Sequence, residues 1–168
     1  TVFDISLCFN NRSKGGIGML NEYLITTSTI MVKSIDSNSS MVYDLAGEYV
    51  ATMDTNTIIE SSCNFYGSSY EGRLKWSKEI LKTRIKLPVI IEESKNIIFF
   101  PTRSISNNDC IWLSYNNITK IEKHGNSTNV FFNDNRVYSI DVSYDILDRQ
   151  IYNCLRLEKE LLNRRNTA

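Results

Sequence analysis

The chain has 168 residues, 42% of them hydrophobic and 23% charged, which is typical of a globular protein with one or two small domains. Its two prolines and seven glycines argue against a disordered chain. The formal net charge is zero, but residues 1–60 hold three basic and seven acidic side chains, a net of −4, so the remainder carries +4. This asymmetry is a weak indication of an anionic partner for the second part.

The first 19 residues contain a glycine-rich stretch, Gly15-Gly16-Ile17-Gly18, immediately before Met19. Two successive glycine codons can contain a bacterial ribosome-binding sequence, so one hypothesis is that translation starts at Met19 and residues 1–18 are a non-native leader. The alternative is an ordinary loop with a glycine turn. Residues 19–168 are then expected to form a single domain.

The first predicted elements are strands followed by a helix. Glu22–Ile35 is rich in Ile, Thr and Val and predicts one or two strands, and Met41–Met53 predicts a hairpin around Ala46-Gly47. Asp54 has the side chain of a helix N-cap, and Gly67 suits the left-handed position that ends a helix. Ser68 or Ser69 can then cap a second helix.

The second helix has two different faces. Lys75, Lys78 and Lys82 share one side, and the opposite side holds Tyr70, Leu74, Trp76, Ser77, Ile80 and Leu81. Arg84 and Lys86 continue the basic run, so Gly72–Lys86 contains six basic residues and one acidic residue. The segment therefore predicts an amphipathic helix with a basic outer face.

The rest of the chain predicts further strands and a last helix. The strand segments are Ile85–Glu92, Asn96–Phe100, Cys110–Leu113, Ile118–Lys123, Asn129–Phe132 and Arg136–Val142. Ser143 is expected to cap the last helix, whose spacing near 3.6 residues is given by Ile146, Leu147, Ile151, Cys154, Leu155, Glu158 and Leu162. The predicted fold class is α+β: a mostly antiparallel sheet with a central helical pair and a C-terminal helix.

Nothing in the sequence predicts catalysis, a metal site or a cofactor. The single histidine, His124, stands in a turn context, and no phosphate-binding loop motif occurs. The four cysteines are too widely spaced for a metal-type pair, which favours reduced thiols in a cytoplasmic protein. No apolar run approaches the ~18 residues of a membrane span. We expect a non-enzymatic protein that is not embedded in a membrane.

The basic segment suits nucleic acid, because lysine and arginine neutralise phosphates and release counterions. Arginine also enters the narrow minor groove of A·T-rich DNA. By charge alone, a helix face that is simply solvated explains Lys75, Lys78 and Lys82 about as well as nucleic-acid binding does. The interleaved aromatic residues Phe65, Tyr66, Tyr70 and Trp76 are better explained by core packing.

One string is specific: Ser62-Cys63-Asn64-Phe65-Tyr66-Gly67-Ser68-Ser69-Tyr70-Glu71-Gly72-Arg73 resembles the ComK family of competence transcription factors. Further similarities follow in register at Lys86-Leu87-Pro88-Val89, Ile98-Phe99-Phe100-Pro101-Thr102, Ile111-Trp112-Leu113 and Val142-Ser143-Tyr144, with weaker ones at Val42-Tyr43-Asp44 and Gly47-Glu48. The resemblance covers roughly residues 20–160.

The resemblance implies a sequence-specific transcriptional activator of competence (DNA-uptake) genes, located in the cytoplasm with the nucleoid. It implies double-stranded A/T-rich promoter boxes as the ligand, bound through the minor groove by a homo-dimer or tetramer, and an adaptor that delivers the protein to a Clp protease. The family's C-terminal extension is not found after Ala168, so the alternative is a truncated, inactive protein-interaction module.

The residues expected to contact DNA are chosen for their charge and not from the family. They are Arg73, Lys75, Lys78, Lys82, Arg84 and Lys86, with Arg103 as an outlying candidate. No catalytic residue, metal ligand or cofactor is predicted.

Overall fold

The computed structural model describes residues 17–168. Within them, ten strands and three helices occur in the order β1 Gly18–Leu20, β2 Thr29–Asp36, β3 Ser39–Asp44, β4 Gly47–Ala51, α1 Thr55–Phe65, α2 Tyr70–Leu81, β5 Val89–Glu92, β6 Ile97–Pro101, β7 Ile111–Ser114, β8 Ile118–His124, β9 Ser127–Phe132, β10 Val137–Ile140 and α3 Tyr144–Thr167. A single 3₁₀ turn, Tyr115–Asn117, separates β7 from β8. The predicted helical pair and C-terminal helix are confirmed.

The strands form two sheets. A seven-stranded sheet has the order β1-β4-β3-β2-β7-β6-β5, and a three-stranded sheet has the order β10-β9-β8. Neighbouring strands are antiparallel except β1 and β4, so the predicted α+β class with a mostly antiparallel sheet is confirmed. Gly18, the last residue of the predicted leader, lies in β1 and pairs with Tyr49 of β4. Residues 1–16 lie outside the described part of the chain. The leader hypothesis stays a prediction.

The large sheet is buried on both faces. In β6, Ile97 and Phe99 belong to one apolar cluster, and Ile98 and Phe100 belong to the other. Successive side chains of a strand point to opposite faces, so an uninterrupted apolar run indicates a strand covered on both sides. The first cluster includes residues of α1, and the second includes residues of α3 and of the three-stranded sheet.

Helix α2 lies beside β5, the last strand of the large sheet, and also packs against α3. Leu74 packs against the cluster that contains α1, whereas Trp76 and the buried Leu81 belong with the cluster that contains α3. The buried Ser77 hydroxyl donates to the Pro88 carbonyl over 2.7 Å. The helix that carries the basic side chains thus also packs against the edge strand of the large sheet.

The helix boundaries follow local signals that the sequence shows. The Asp54 carboxylate accepts from the backbone N–H groups of Asn56 and Thr57 at 3.0 Å each and caps α1. Burial alone would raise the pKa of Asp54, but these bonds and one from the Thr57 hydroxyl outweigh burial and lower it. Gly67 has φ +80°, and Ser69 is the residue that caps α2. Each of these predictions is confirmed.

The predicted strand region Glu22–Ile35 is only partly strand, because β2 begins at Thr29. Tyr23 lies before it and is buried without a ladder partner. Its hydroxyl donates to the Asp44 carboxylate over 2.8 Å and contacts the Thr29 hydroxyl at 2.5 Å. Side-chain hydrogen bonds therefore hold this apolar segment where strand pairing was expected.

The predicted C-terminal helix is confirmed as α3, but only some of the residues that gave its helical spacing are buried. Leu147 and Cys154 are buried as expected, but Ile146, Leu155 and Leu162 are exposed. The buried positions are Leu147, Gln150, Cys154, Leu157 and Leu161. Apolar residues occupy two adjoining stripes of this helix, and the buried stripe packs into the core. Its one polar residue, Gln150, is satisfied because its amide donates to the carbonyls of Lys86 and Pro101.

Candidate nucleic-acid interface

Helix α2 is a rigid support for its side chains. The Ser69 hydroxyl accepts from the Gly72 N–H over 3.1 Å at its start, and Lys82 ends it in a left-handed conformation, φ 56°, with its N–H bonded to the Lys78 carbonyl over 3.0 Å. A Cβ at position 72 would stand 2.9 Å from the Ser69 oxygen, so glycine leaves room for the cap. Both ends of α2 are therefore set by local contacts.

The predicted basic face of α2, Lys75, Lys78 and Lys82, is exposed to solvent, while Ser77 and Leu81 on the other side are buried. Across residues 17–168, none of these three lysines belongs to an ion pair. The amphipathic helix predicted from the sequence is confirmed, and its three cations are available to an external anion.

Arg73, two positions before the basic face begins at Lys75, is placed differently. Its guanidinium forms a 2.5 Å ion pair with Glu93, and its side chain is only 18% exposed. The Glu93 backbone carbonyl also accepts from Arg165 of α3 over 2.5 Å. Arg73 thus joins α2 to the segment after β5, and its charge is matched inside the protein.

Arg103 is likewise occupied. It follows β6, donates a hydrogen bond to the Asp141 backbone carbonyl, and lies 3.5 Å from the Asp141 carboxylate. The structure therefore separates the seven predicted contact residues into two groups. Arg73 and Arg103 have acidic partners, whereas the others have none in the described chain, namely Lys75, Lys78, Lys82, Arg84 and Lys86.

Arg84 and Lys86 lie in the loop between α2 and β5, residues 82–88, which we call the 82–88 loop. Lys86, like Lys82, is left-handed, with φ 51°. The Gln150 side-chain amide donates to the Lys86 carbonyl over 2.8 Å. Arg84 and Lys86 border a cavity of about 350 Å³, whose other lining residues are Tyr70, Leu74, Ile85, Leu87, Ser104 and Ile105.

Sequence reasoning missed the basic residues that α3 brings to α2. A groove of about 670 Å³ between the two helices is lined by Lys82 together with Arg156 and Lys159 of α3, and also by the acidic residues Glu79 and Glu160. Arg156 also donates to the Ile80 carbonyl over 3.1 Å. In the sequence these cations alternate with Glu158 and Glu160, so no cluster of one sign is visible there. Only the packing of α3 on α2 brings them beside Lys82.

Two ionisable groups near α2 have raised pKa values because they are buried. Burial raises the pKa of the Cys63 thiol to about 11 and that of Tyr70 to about 12, so both are protonated at neutral pH. Along residues 17–168, no group of three or more His, Cys, Asp or Glu side chains is arranged to hold a metal ion. In the same part of the chain no helix has the length and apolarity needed to cross a membrane.

Comparisons with known proteins agree with the specific string around Cys63. The family model described as ComK protein matches residues 20–166. A competence transcription factor of Bacillus subtilis (strain 168) is 28% identical over 149 residues, which cover 86% of this chain and 78% of the relative. No solved structure matches the chain.

Proposed function

Because the chain belongs to the ComK family, we propose that it is a sequence-specific, DNA-binding transcriptional activator of competence (DNA-uptake) genes. The family and the name of the Bacillus subtilis relative support a transcriptional regulator of competence and not an enzyme. The proposal adds the ligand, A/T-rich double-stranded promoter DNA, and the surface that binds it.

One observation carries the proposed surface: five cations in one short stretch of chain, residues 75–86, have no acidic partner in the described protein. A lysine or arginine that contacts a phosphate releases condensed counterions, and this supplies most of the sequence-independent affinity for DNA. Lys75, Lys78 and Lys82 stand on a capped helix and need no rearrangement to meet a phosphate backbone.

Preference for A/T-rich boxes would come from the shape of the minor groove. Runs of A·T pairs narrow this groove and strengthen its negative potential, which favours an inserted arginine. Arg84 is the one exposed arginine among the unpaired cations of the interface. We assign it to the groove and the lysines of α2 to the flanking phosphates.

The test is a gel shift with an A/T-box promoter fragment and a G·C-matched control at two salt concentrations. We expect a shift at lower protein concentration with the A/T-box fragment, and weaker binding to both fragments at higher salt. Equal affinity for the two fragments would refute the sequence preference, and no shift of either fragment would refute DNA binding.

The remaining parts of the proposal concern partners and location. We place the protein on the nucleoid in the cytoplasm, as a homo-dimer or tetramer that a Clp protease adaptor recognises. Sedimentation velocity with and without promoter DNA measures the oligomer. The alternative function, an inactive protein-interaction module, predicts the same basic helix but no shift of the promoter fragment.

A further inference from the structure

Ile85 lies in the 82–88 loop, between Arg84 and Lys86, and is 72% exposed. No other large hydrophobic side chain of residues 17–168 is exposed to a greater fraction. The neighbouring Leu87 is half-buried and packs against the core. The loop therefore turns Leu87 toward the protein and Ile85 toward solvent. An aliphatic side chain between two cations needs an explanation beyond packing.

The 82–88 loop is anchored on both sides of Ile85. On one side, the Lys82 N–H closes the end of α2. On the other, the Lys86 carbonyl accepts from Gln150, whose amide also donates to the Pro101 carbonyl over 2.8 Å, and the Pro88 carbonyl accepts from Ser77. The residues at positions 82 and 86 have the left-handed conformation, with φ 56° and φ 51°. Ile85 is thereby displayed by a fixed backbone and does not fold back onto the protein.

A second apolar side chain faces the same space. Ile105, in the loop after β6, is 43% exposed, and it borders the cavity of about 350 Å³ with Ile85, Arg84 and Lys86. The Ser104 carbonyl accepts from the Asn107 N–H over 2.9 Å, so a turn holds this loop as well. The two loops therefore present two exposed isoleucines and two cations around one open cavity.

The combination of exposed isoleucines and neighbouring cations favours duplex DNA opened at a base step. Proteins that bind the minor groove insert isoleucine or similar side chains between base pairs and bend the duplex by roughly 20–90°. Of the two cations beside Ile85, Arg84 suits the negative potential of the groove and Lys86 suits a flanking phosphate, and an uncharged apolar protein partner would match neither.

Resting on the proposed DNA-binding function, we infer that Ile85 is a wedge that enters a base step of the minor groove, unstacks it and bends the promoter. Ile105 supports the wedge from the adjoining loop. TA steps are the preferred entry point, because pyrimidine–purine steps are easily kinked. Sequence preference then includes the cost of deforming the box as well as contacts to its bases.

The experiment measures three properties of each protein–DNA complex. Gel shifts give the salt slope of the affinity, 2-aminopurine fluorescence at a TA step reports unstacking, and energy transfer between dyes on the duplex ends reports bending. The variants are Ile85→Ala, Ile85→Leu and, as a matched control, Ile35→Ala. Ile35 is 51% exposed on β2 and does not line the cavity around Ile85.

With wild type and Ile35→Ala we expect higher fluorescence and closer duplex ends on binding. Ile85→Ala should lose most of both signals while its salt slope is unchanged, and Ile85→Leu should keep them. All variants should unfold at the wild-type temperature, because position 85 is exposed.

Two results overturn the inference while DNA binding stands: a wild-type complex without unstacking, or an Ile85→Ala complex that unstacks and bends DNA like wild type. The second result would mean that Ile85 does not act on DNA and that its exposure serves contact with another partner. If wild type fails to shift any fragment, the proposed function itself fails, and the wedge fails with it.

Discussion

Two groups of cations in one interface behave differently, although the sequence presents them as one basic run. Lys75, Lys78 and Lys82 project from α2 without acidic partners, whereas Arg73, two positions before Lys75, is matched by Glu93 at 2.5 Å. The difference arises because Arg73 faces the segment after β5 while the lysines face solvent. The net charge read from a segment's sequence is therefore larger than the charge available to a ligand. Neighbouring cations in one segment can have different roles, some in binding and others in stability.

The largest effect is expected from removing the unpaired cations. Replacing Lys75, Lys78 and Lys82 by alanine should weaken DNA binding by about 10²–10³-fold near 0.1 M salt, because each lost phosphate contact lowers the slope of log K against log[salt] by about 0.9. Gel shifts across a salt series measure this slope.

The matched control for that variant is Lys33→Ala, Lys95→Ala and Lys123→Ala combined, which removes the same charge from exposed lysines outside the predicted interface. Its slope should stay close to the wild-type value. If both triple variants lose affinity equally, net charge and not the basic face of α2 attracts the DNA.

For Arg73, the arginine paired with Glu93, we expect a smaller effect, and on stability instead of DNA binding. Arg73→Ala should lower the free energy of unfolding by about 1–3 kcal/mol, since it removes a charge-assisted hydrogen bond from a mostly buried side chain. The salt slope of DNA binding should not change. Urea denaturation measures the first quantity, and the gel shift measures the second.

Arg103→Ala provides the comparison for Arg73→Ala, because the Asp141 carboxylate that it pairs with is almost fully exposed. Exposed ion pairs contribute only about 0–1 kcal/mol. A drop of the salt slope by about one unit in Arg73→Ala would contradict the division of the cations into binding and structural groups.

A small effect, on stability alone, is expected at α1, which packs against α2 but carries none of the predicted DNA contacts. Asp54→Ala should cost about 1 kcal/mol at pH 7 by removing the N-cap. The lowered pKa of Asp54 means that the cap stabilises the fold above the unfolded pKa of about 3.9 and loses this contribution as pH falls through the lower folded value.

Urea denaturation of wild type and Asp54→Ala at pH 7 and at pH 3 measures this dependence. The two proteins should differ less at pH 3. Asp54→Asn should resemble wild type at pH 7 but keep its advantage over Asp54→Ala at pH 3, since asparagine caps helices without a titrating group. A pH-independent difference would contradict the role assigned to the carboxylate.

The elements that could be predicted are those with local causes. The caps at Asp54 and Ser69, the turn at Gly67 and the amphipathic pattern of α2 each depend on a few adjacent residues, so their signals are complete in the sequence. The apolar face of α3 had no such signal. Two adjoining stripes were possible, and the partners of the Gln150 amide, on Lys86 and Pro101, lie far away in the chain.

The seven residues predicted for the interface illustrate the same limit. Charge and helical spacing were enough to group the lysines of α2, but the acidic partners of Arg73 and Arg103 are 20 and 38 positions distant. Arg156 and Lys159 reach Lys82 only through the packing of α3 on α2.

By itself the sequence determined the family string, the order of the helices and most strands, and the presence of a basic face on α2, because these follow from short-range spacing. The tertiary structure alone decided which cations are unpaired, which stripe of α3 is buried, and that Ile85 is held outward between Arg84 and Lys86. Those outcomes depend on contacts between residues far apart in the chain, and no local pattern records where such residues meet.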